Sequence, residues 1–382
     1  MQATGPLATT EQIGFGRTWQ CLAVISMAVL AAACGGAKAP PAAAADGSQL
    51  PGALTPVVVS EKTAVDSDDP AIWIHPDDPA QSLILGTDKG GSIFVFDLDG
   101  KIIPEKTVTG MGRMNNIDVA YGFPLGGEKI DIALATDRNK NQIRAYRLPE
   151  MTAIDNGGIE AFEGETERRA MGLAIYTRPS DDAFFAIVSR KFGPSGAYLW
   201  QYLLEDAGDG TIKATKVRAF GEFVGGKEIE AIAVDNELGY VYYSDETAGV
   251  HKYHADPDAP DADTELAFFG TDGFIQDQEG ISIYKVNDGT GYILVSDQQA
   301  NAFRVYPREG EPGDPHNHQL VKVVKVSTNE SDGSDVTSTV LDERFPSGFF
   351  VAMSDDQTFH YYSWDDIAGD DLVKAPNGIT TK

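Results

Sequence analysis

Cysteine is almost missing from this sequence: of 382 residues only Cys21 and Cys34 carry thiols, and both lie close to the N-terminus. The folded part therefore has no disulfide, zinc–thiolate centre or cysteine nucleophile available to it. Cations are scarce too, with 30 Lys and Arg against 58 Asp and Glu and a formal net charge of −28. Such an excess argues against a nucleic-acid backbone as partner and suits divalent cations or cationic surfaces. None of His75, His251, His254, His316, His318 and His360 stands in an Arg-His-Gly setting, which excludes histidine-phosphatase chemistry. Gly225-Gly226 carries no phosphate-loop pattern around it. No stretch shows sustained helical periodicity. The apolar run Cys21 to Ala33 is too short to span a bilayer comfortably.

What is present begins with an export signature. Arg17 precedes the apolar run, Cys34 follows three alanines, and Gly35-Gly36 lead into an Ala/Pro-rich stretch. Residues 1–34 resemble a lipoprotein-type export signal with Cys34 as the lipidated residue, 35–50 read as a tether, and 51–382 as the folded domain. The protein is expected to be exported, as an outer-membrane lipoprotein held by that lipid anchor alone. If the signal is simply cleaved, it is periplasmic or secreted. At 42% hydrophobic and 9% aromatic content, the chain can bury a large core.

Strand-like runs with Gly, Asp and Asn turns fill the chain from about residue 55 onward. Six segments share one plan: an apolar strand, a small hydroxyl residue with a polar pair after it, a short turn, and a second apolar or aromatic strand. They read SLILGTDKGGSIFVFDL, DIALATDRNKNQIRAYRL, FFAIVSRKFGPSGAYLWQYLL, GYVYYSDETAGVHKYH, GYILVSDQQANAFRVYP and FFVAMSDDQTFHYYSW. The hydroxyl residues Thr87, Thr136, Ser189, Ser244, Ser296 and Ser354 are separated, by subtraction, by 49, 53, 55, 52 and 58 residues. Each segment follows another short strand: PAIWIHP, IDVAYGF, GLAIYTR, EAIAVDN, EGISIYK and SDVTSTVL. A spacing near the roughly 40 to 50 residues of a four-stranded blade predicts an all-β, six-bladed β-propeller. Unrelated hairpins in a sandwich would not repeat the same polar step in this way.

In a propeller, equivalent positions of successive blades form rings around a mouth of the central channel. Two residues past each hydroxyl stand Lys89, Arg138, Lys191, Glu246, Gln298 and Asp356. Blades one to three thus supply cations, and blades four to six supply acids or an amide. The start of each preceding strand gives Asp69, Asn116, Met171, Glu230, Glu279 and Asp332, all oxygen ligands except Met171. Oxygen donors without His or Cys favour Ca2+. Clustered carboxylates in a partly dry channel repel one another unless cations are bound. Lys and Arg opposite them suit a phosphate, which Arg can grip with two hydrogen bonds. The residues point to metal-assisted hydrolysis of a phosphate ester.

At this point the sequence resembles the β-propeller phytases, the alkaline, calcium-dependent family. The matching stretches are DDPAIWIHPDDP, LGTDKGG, MGRMNNIDVAYGF, DIALATDRN, VSRK, EIEAIAVDNELGYVYYSDE, QDQEGISIY, GYILVSDQ, SDGSDV and FPSGFFVA, in family order over essentially the whole folded region. The resemblance implies stepwise release of phosphate from myo-inositol hexakisphosphate, taken as its calcium complex, by a monomer holding several structural and active-site calcium ions. It implies that Lys89, Arg138 and Lys191 are the phosphate-binding, catalytic cations. Glu230, Glu246, Asp277, Glu279, Gln298 and Asp332 match ligands of the active-site ions. Asp69, the Pro70 carbonyl, Asn116 and the Ile117 carbonyl resemble structural calcium sites. The chain departs from the family where Met171 replaces a tyrosine, where Phe192 follows Lys191 in place of an acid, and where Ser354-Asp355-Asp356 replaces Asp-Gly.

Two other readings stay open on the residues alone. A calcium-dependent propeller lactonase or esterase would need the carboxylates but not three cations facing them. A non-catalytic surface propeller would need calcium only for its structure.

Overall fold

The computed structural model describes residues 51–166 and 168–376; Cys34, the export signal and the tether lie outside the described residues. Six antiparallel sheets follow one another along the chain as six blades. Blade one comprises Ser67–Trp73, Leu83–Asp88 and Ser92–Phe96, and blade two is led by Met114–Leu125, Glu128–Asp137 and Gln142–Leu148. Blade three runs through Ala170–Arg178, Ala183–Arg190, Leu199–Asp206 and Ile212–Phe220. Blade four contains Ile232–Asp235, Tyr240–Asp245, Gly249–His254 and Ala267–Phe269, and blade five Gln278–Lys285, Gly291–Asp297, Ala302–Pro307 and Lys322–Lys325. Blade six takes Ser334–Thr337, Phe349–Ser354 and Thr358–Ser363 from late in the chain. Its outermost strand is Val58–Val59, which pairs with Tyr361 and His360 and so closes the circle. The first strands of the blades touch in a closed ring, blade six against blade one.

The middle strands of the blades, such as Leu83–Asp88 and Phe349–Ser354, are buried along their whole length because each blade is sandwiched between two others. Alternate residues of a strand point to opposite faces. Ala71, Trp73, Leu83 and Leu85 pack towards blade two in one cluster, whereas Ile72 and Ile84 pack towards Phe349 and Val351 of blade six in another. The core is thus a set of interblade layers, such as Leu134 with Trp200, Tyr176 with Tyr243, and Phe303 with Phe350.

Most of the hydroxyl residues that betrayed the repeat tie strands and blades together, Ser244 Oγ alone of the six being buried without a hydrogen-bond partner. Thr136 Oγ1 donates to the Met171 carbonyl in blade three (2.5 Å), and Ser296 Oγ donates to the Ser331 carbonyl ahead of blade six (2.8 Å). Ser189 Oγ accepts from Gly172 N (2.8 Å) and donates to the Ile229 carbonyl ahead of blade four (2.6 Å). Ser189→Ala strands that buried N–H and C=O. It is expected to cost about 2 kcal/mol, read as a lowered thermal midpoint, whereas an unchanged midpoint would show the tie to be dispensable.

Candidate active site

The next residue after most of those hydroxyls is a buried aspartate that caps the loop entering its own blade. Asp88 accepts from Val65 N (2.8 Å) and Asp66 N (3.0 Å), Asp137 from Gly112 N (2.8 Å), and Asp297 from Ile275 N (3.0 Å). Blade three has Arg190 there instead, bonded to Glu165 (2.9 Å) and the Ala197 carbonyl (3.0 Å).

With the loops pinned, the residue beyond the cap is aimed by its own backbone. The N–H groups of Lys89, Arg138, Lys191, Glu246 and Gln298 donate to the carbonyls of Asp66, Arg113, Arg169, Glu228 and Asp277, at 2.7 to 3.1 Å. These five occupy one structural position, as the repeat predicts. The sixth is a correction: in blade six Asp355, not Asp356, makes this bond, to Asn329 (2.9 Å). The Ser354–Thr358 pair there is the counterpart of Asp88–Ser92 in blade one.

The second ring is built by bulges. Register slips between Ser67 and Pro70, Met114 and Ile117, Ala170 and Leu173, and Gln278 and Ile281. A bulge opposes two residues to one and re-aims their side chains, which is how a strand can present Asp68-Asp69 or Asn115-Asn116 at the channel. Gly172 is required by close approach, because a Cβ there would collide with the Glu230 carbonyl oxygen. Met171 beside it is fully buried.

The carboxylates meet at this mouth. Glu228, Glu230 and Glu246 each offer an oxygen within 4.8 Å of the others. Asn115 donates to Glu230, and Gln298 to Asp332. Lys89 Nζ lies 2.6 Å from Asp332, 3.4 Å from Asp68 and 3.5 Å from Asp66. Lys191 pairs with Glu228, and the Tyr198 hydroxyl donates to the Lys191 carbonyl (2.6 Å), so the extended loop of blade three holds this lysine in place. Lys227, which the sequence reading left out, bonds Asp277 (2.7 Å) and lies 3.3 Å from Glu246. Arg138 is buried, and among the described residues no carboxylate pairs with it. Asp69 lies deeper, accepting from Ile117 N (3.1 Å), and with Pro70, Asn116 and Ile117 it lines a channel cavity of about 130 Å³.

Burial, and then the charge of the neighbouring acids, pushes Glu230 and Glu279 well above the usual carboxylate range. Burial likewise pushes Glu246 up to about 7 and Asp68 up to about 6. Asp68 Oδ2, Asn115 Oδ1, Asn116 Oδ1, Glu246 Oε1, Asp277 Oδ1 and Glu279 Oε2 are all buried without a hydrogen-bond partner. A buried oxygen left bare costs about 1–3 kcal/mol. Several converging on one mouth fit a hard divalent cation, which takes oxygen ligands of this kind.

The structure therefore sets Lys89 and Lys191 against acids of this mouth, leaves Arg138 sharing only their backbone position, and adds Glu228, Lys227 and Asn115. A signal for Glu228 existed: the loop position that accepts from the first ring reads Asp66, Arg113, Arg169, Glu228, Asp277 and Asn329, two or three residues ahead of the second ring.

Two comparisons bear on this site. A family model described as Phytase matches residues 18–375. The 3-phytase of Bacillus subtilis (strain 168) is 32% identical over 320 residues, covering 79% of this chain and 80% of that protein. With its six blades and its mouth of carboxylates and cations, the chain belongs to the phytase family.

Proposed function

We propose that the protein is a calcium-dependent phosphomonoesterase releasing phosphate stepwise from phytate, myo-inositol hexakisphosphate. The observation that carries this reading is the set of bare, buried oxygens beside cations from neighbouring blades, with Arg138 free of any carboxylate among the described residues. The family membership and the 3-phytase relative support the choice of substrate. A lactonase would have no use for the cations.

Glu228, Glu230, Glu246, Asp277, Glu279, Gln298 and Asp332 would hold calcium at the mouth. Asp69, the Pro70 carbonyl, Asn116 and the Ile117 carbonyl would hold it within the channel. Bound there, calcium supplies positive charge against the phosphate oxygens and acidifies water. The remaining work belongs to the chain. Arg138, fixed through its backbone on Arg113, presents a planar fork to two oxygens of one phosphate. Lys89 and Lys191, as point charges on the blades to either side of that of Arg138, offset charge that grows on the phosphoryl group and on the leaving inositol oxygen. The substrate and its product inositol phosphates are polyanions, so a mouth holding both metal charge and lysines retains them for further turnovers.

Glu230→Gln and Glu279→Gln test the ligand assignment. Each removes a charge from the metal set, and calorimetric calcium titration beside phytate hydrolysis is expected to show both functions falling together. Calcium binding at parental affinity and stoichiometry in both variants would falsify it.

A further inference from the structure

We propose that Lys227 is a further substrate-binding cation of this site, parked on Asp277 and Glu246 until a metal ion takes those carboxylates. The inference rests on the phytase reading. Lys227 Nζ is 2.7 Å from Asp277 Oδ2 and 3.3 Å from Glu246 Oε2. Both acids also carry bare buried oxygens, Asp277 Oδ1 and Glu246 Oε1, which mark them as cation ligands rather than as permanent partners of a lysine. One carboxylate cannot fully serve an ammonium and a divalent ion at once, and the ion has the greater charge. Lys227 therefore has to leave as metal binds.

Where it can go is set by its position. Its side chain is 44% exposed, whereas those of Asp277 and Glu246 are 2% exposed, so the lysine covers the carboxylates from the solvent side, from which substrate arrives. The backbone ahead of it is Gly225-Gly226, with Gly225 at φ +92°, and the side chain that follows is partly open to solvent. A displaced ammonium on that side faces an incoming polyanion. Lys191 and Lys89 are in the same situation, paired with Glu228 and Asp332. Lys227 extends the cationic half onto blade four, where the alternation of rings provides only acids. The arrangement also orders events: metal binding uncovers the cations, and the phosphate follows.

Lys227→Met and Lys227→Arg test this in the full chain with phytate and calcium. Loss of one charge-assisted hydrogen bond to phosphate is expected to raise KM about tenfold in Lys227→Met, with the larger part of the loss in KM rather than kcat. Lys227→Arg restores most of it. Calorimetric titration with calcium alone is expected to show tighter binding to Lys227→Met, because the internal competitor is gone. A parental KM in Lys227→Met, whatever the calcium affinity, overturns the proposal and leaves Lys227 as a counter-charge only. A raised KM with weakened calcium binding also overturns it, since the lysine would then be supporting the metal site. If the parent itself releases no phosphate from phytate, the phytase reading fails, and not the placement of Lys227.

Discussion

Arg138→Met, Lys89→Met and Lys191→Met are each expected to lower the rate of phytate hydrolysis about 100-fold while calcium still binds. A single preorganised donor aimed at developing charge in a water-poor site contributes about 3 kcal/mol, which is a factor of roughly 100 in rate. Arg138 gives the cleanest case, because among the described residues no carboxylate pairs with it, and its removal leaves no acid stranded. Lys89→Met and Lys191→Met free Asp332 and Glu228 instead, so calcium affinity is expected to hold or rise. Phosphate release is measured beside calcium titration for each variant. Parental phosphate release by all three would sink the phosphatase reading, whatever the family.

Removing calcium is expected to lower the melting temperature by about 10 °C or more at pH 8. An ion present at a thousand times its dissociation constant adds about 4 kcal/mol to the folded state, and several ions add severally. The effect is pH-dependent with a definite sign. In the metal-free chain, burial raises the folded-state pKa of Asp68 to about 6 and of Glu246 to about 7, above the unfolded values near 3.8 and 4.5. The folded chain then binds more protons than the unfolded chain between about pH 4 and pH 7. Without metal, stability therefore falls as pH rises through that window. Calcium needs the same carboxylates ionised, so its affinity rises across that window. The gap between melting curves in calcium and in chelator is expected to widen from pH 5 to pH 8, and activity is expected to favour neutral to mildly alkaline pH. A gap that is constant with pH would remove these acids from the metal site.

The sequence by itself determined the number of blades, the all-β class and most of the residues at the mouth. It could do so because a blade is a local unit: the apolar runs, the hydroxyl and the turn fall within some twenty residues of chain and recur. The hydroxyls were legible as markers, but that Ser189 bridges Gly172 and Ile229 was not, because the bond joins segments 17 and 40 residues away. Closure by Val58–Val59 against Thr358–Ser363 was hidden for the same reason, since nothing in a two-residue strand names its distant partner. The repeat also misplaced the last ring member at Asp356. The hairpin of blade six closes on Ser354 where those of blades one, two, four and five close on the capping aspartate, a register that only the folded sheet defines.

Charge was legible as composition but not as pairing. The acids and cations read as opposed halves, yet Lys89 reaches Asp332 across 243 residues, and Lys227 lies on Asp277, 50 residues on. Which oxygens are buried and bare, and which lysines cover them, depends on bulges that turn two side chains to one face and on how neighbouring blades tilt together. A period-two sequence pattern carries neither, so the residue types at the mouth belong to the sequence and their partners to the tertiary structure.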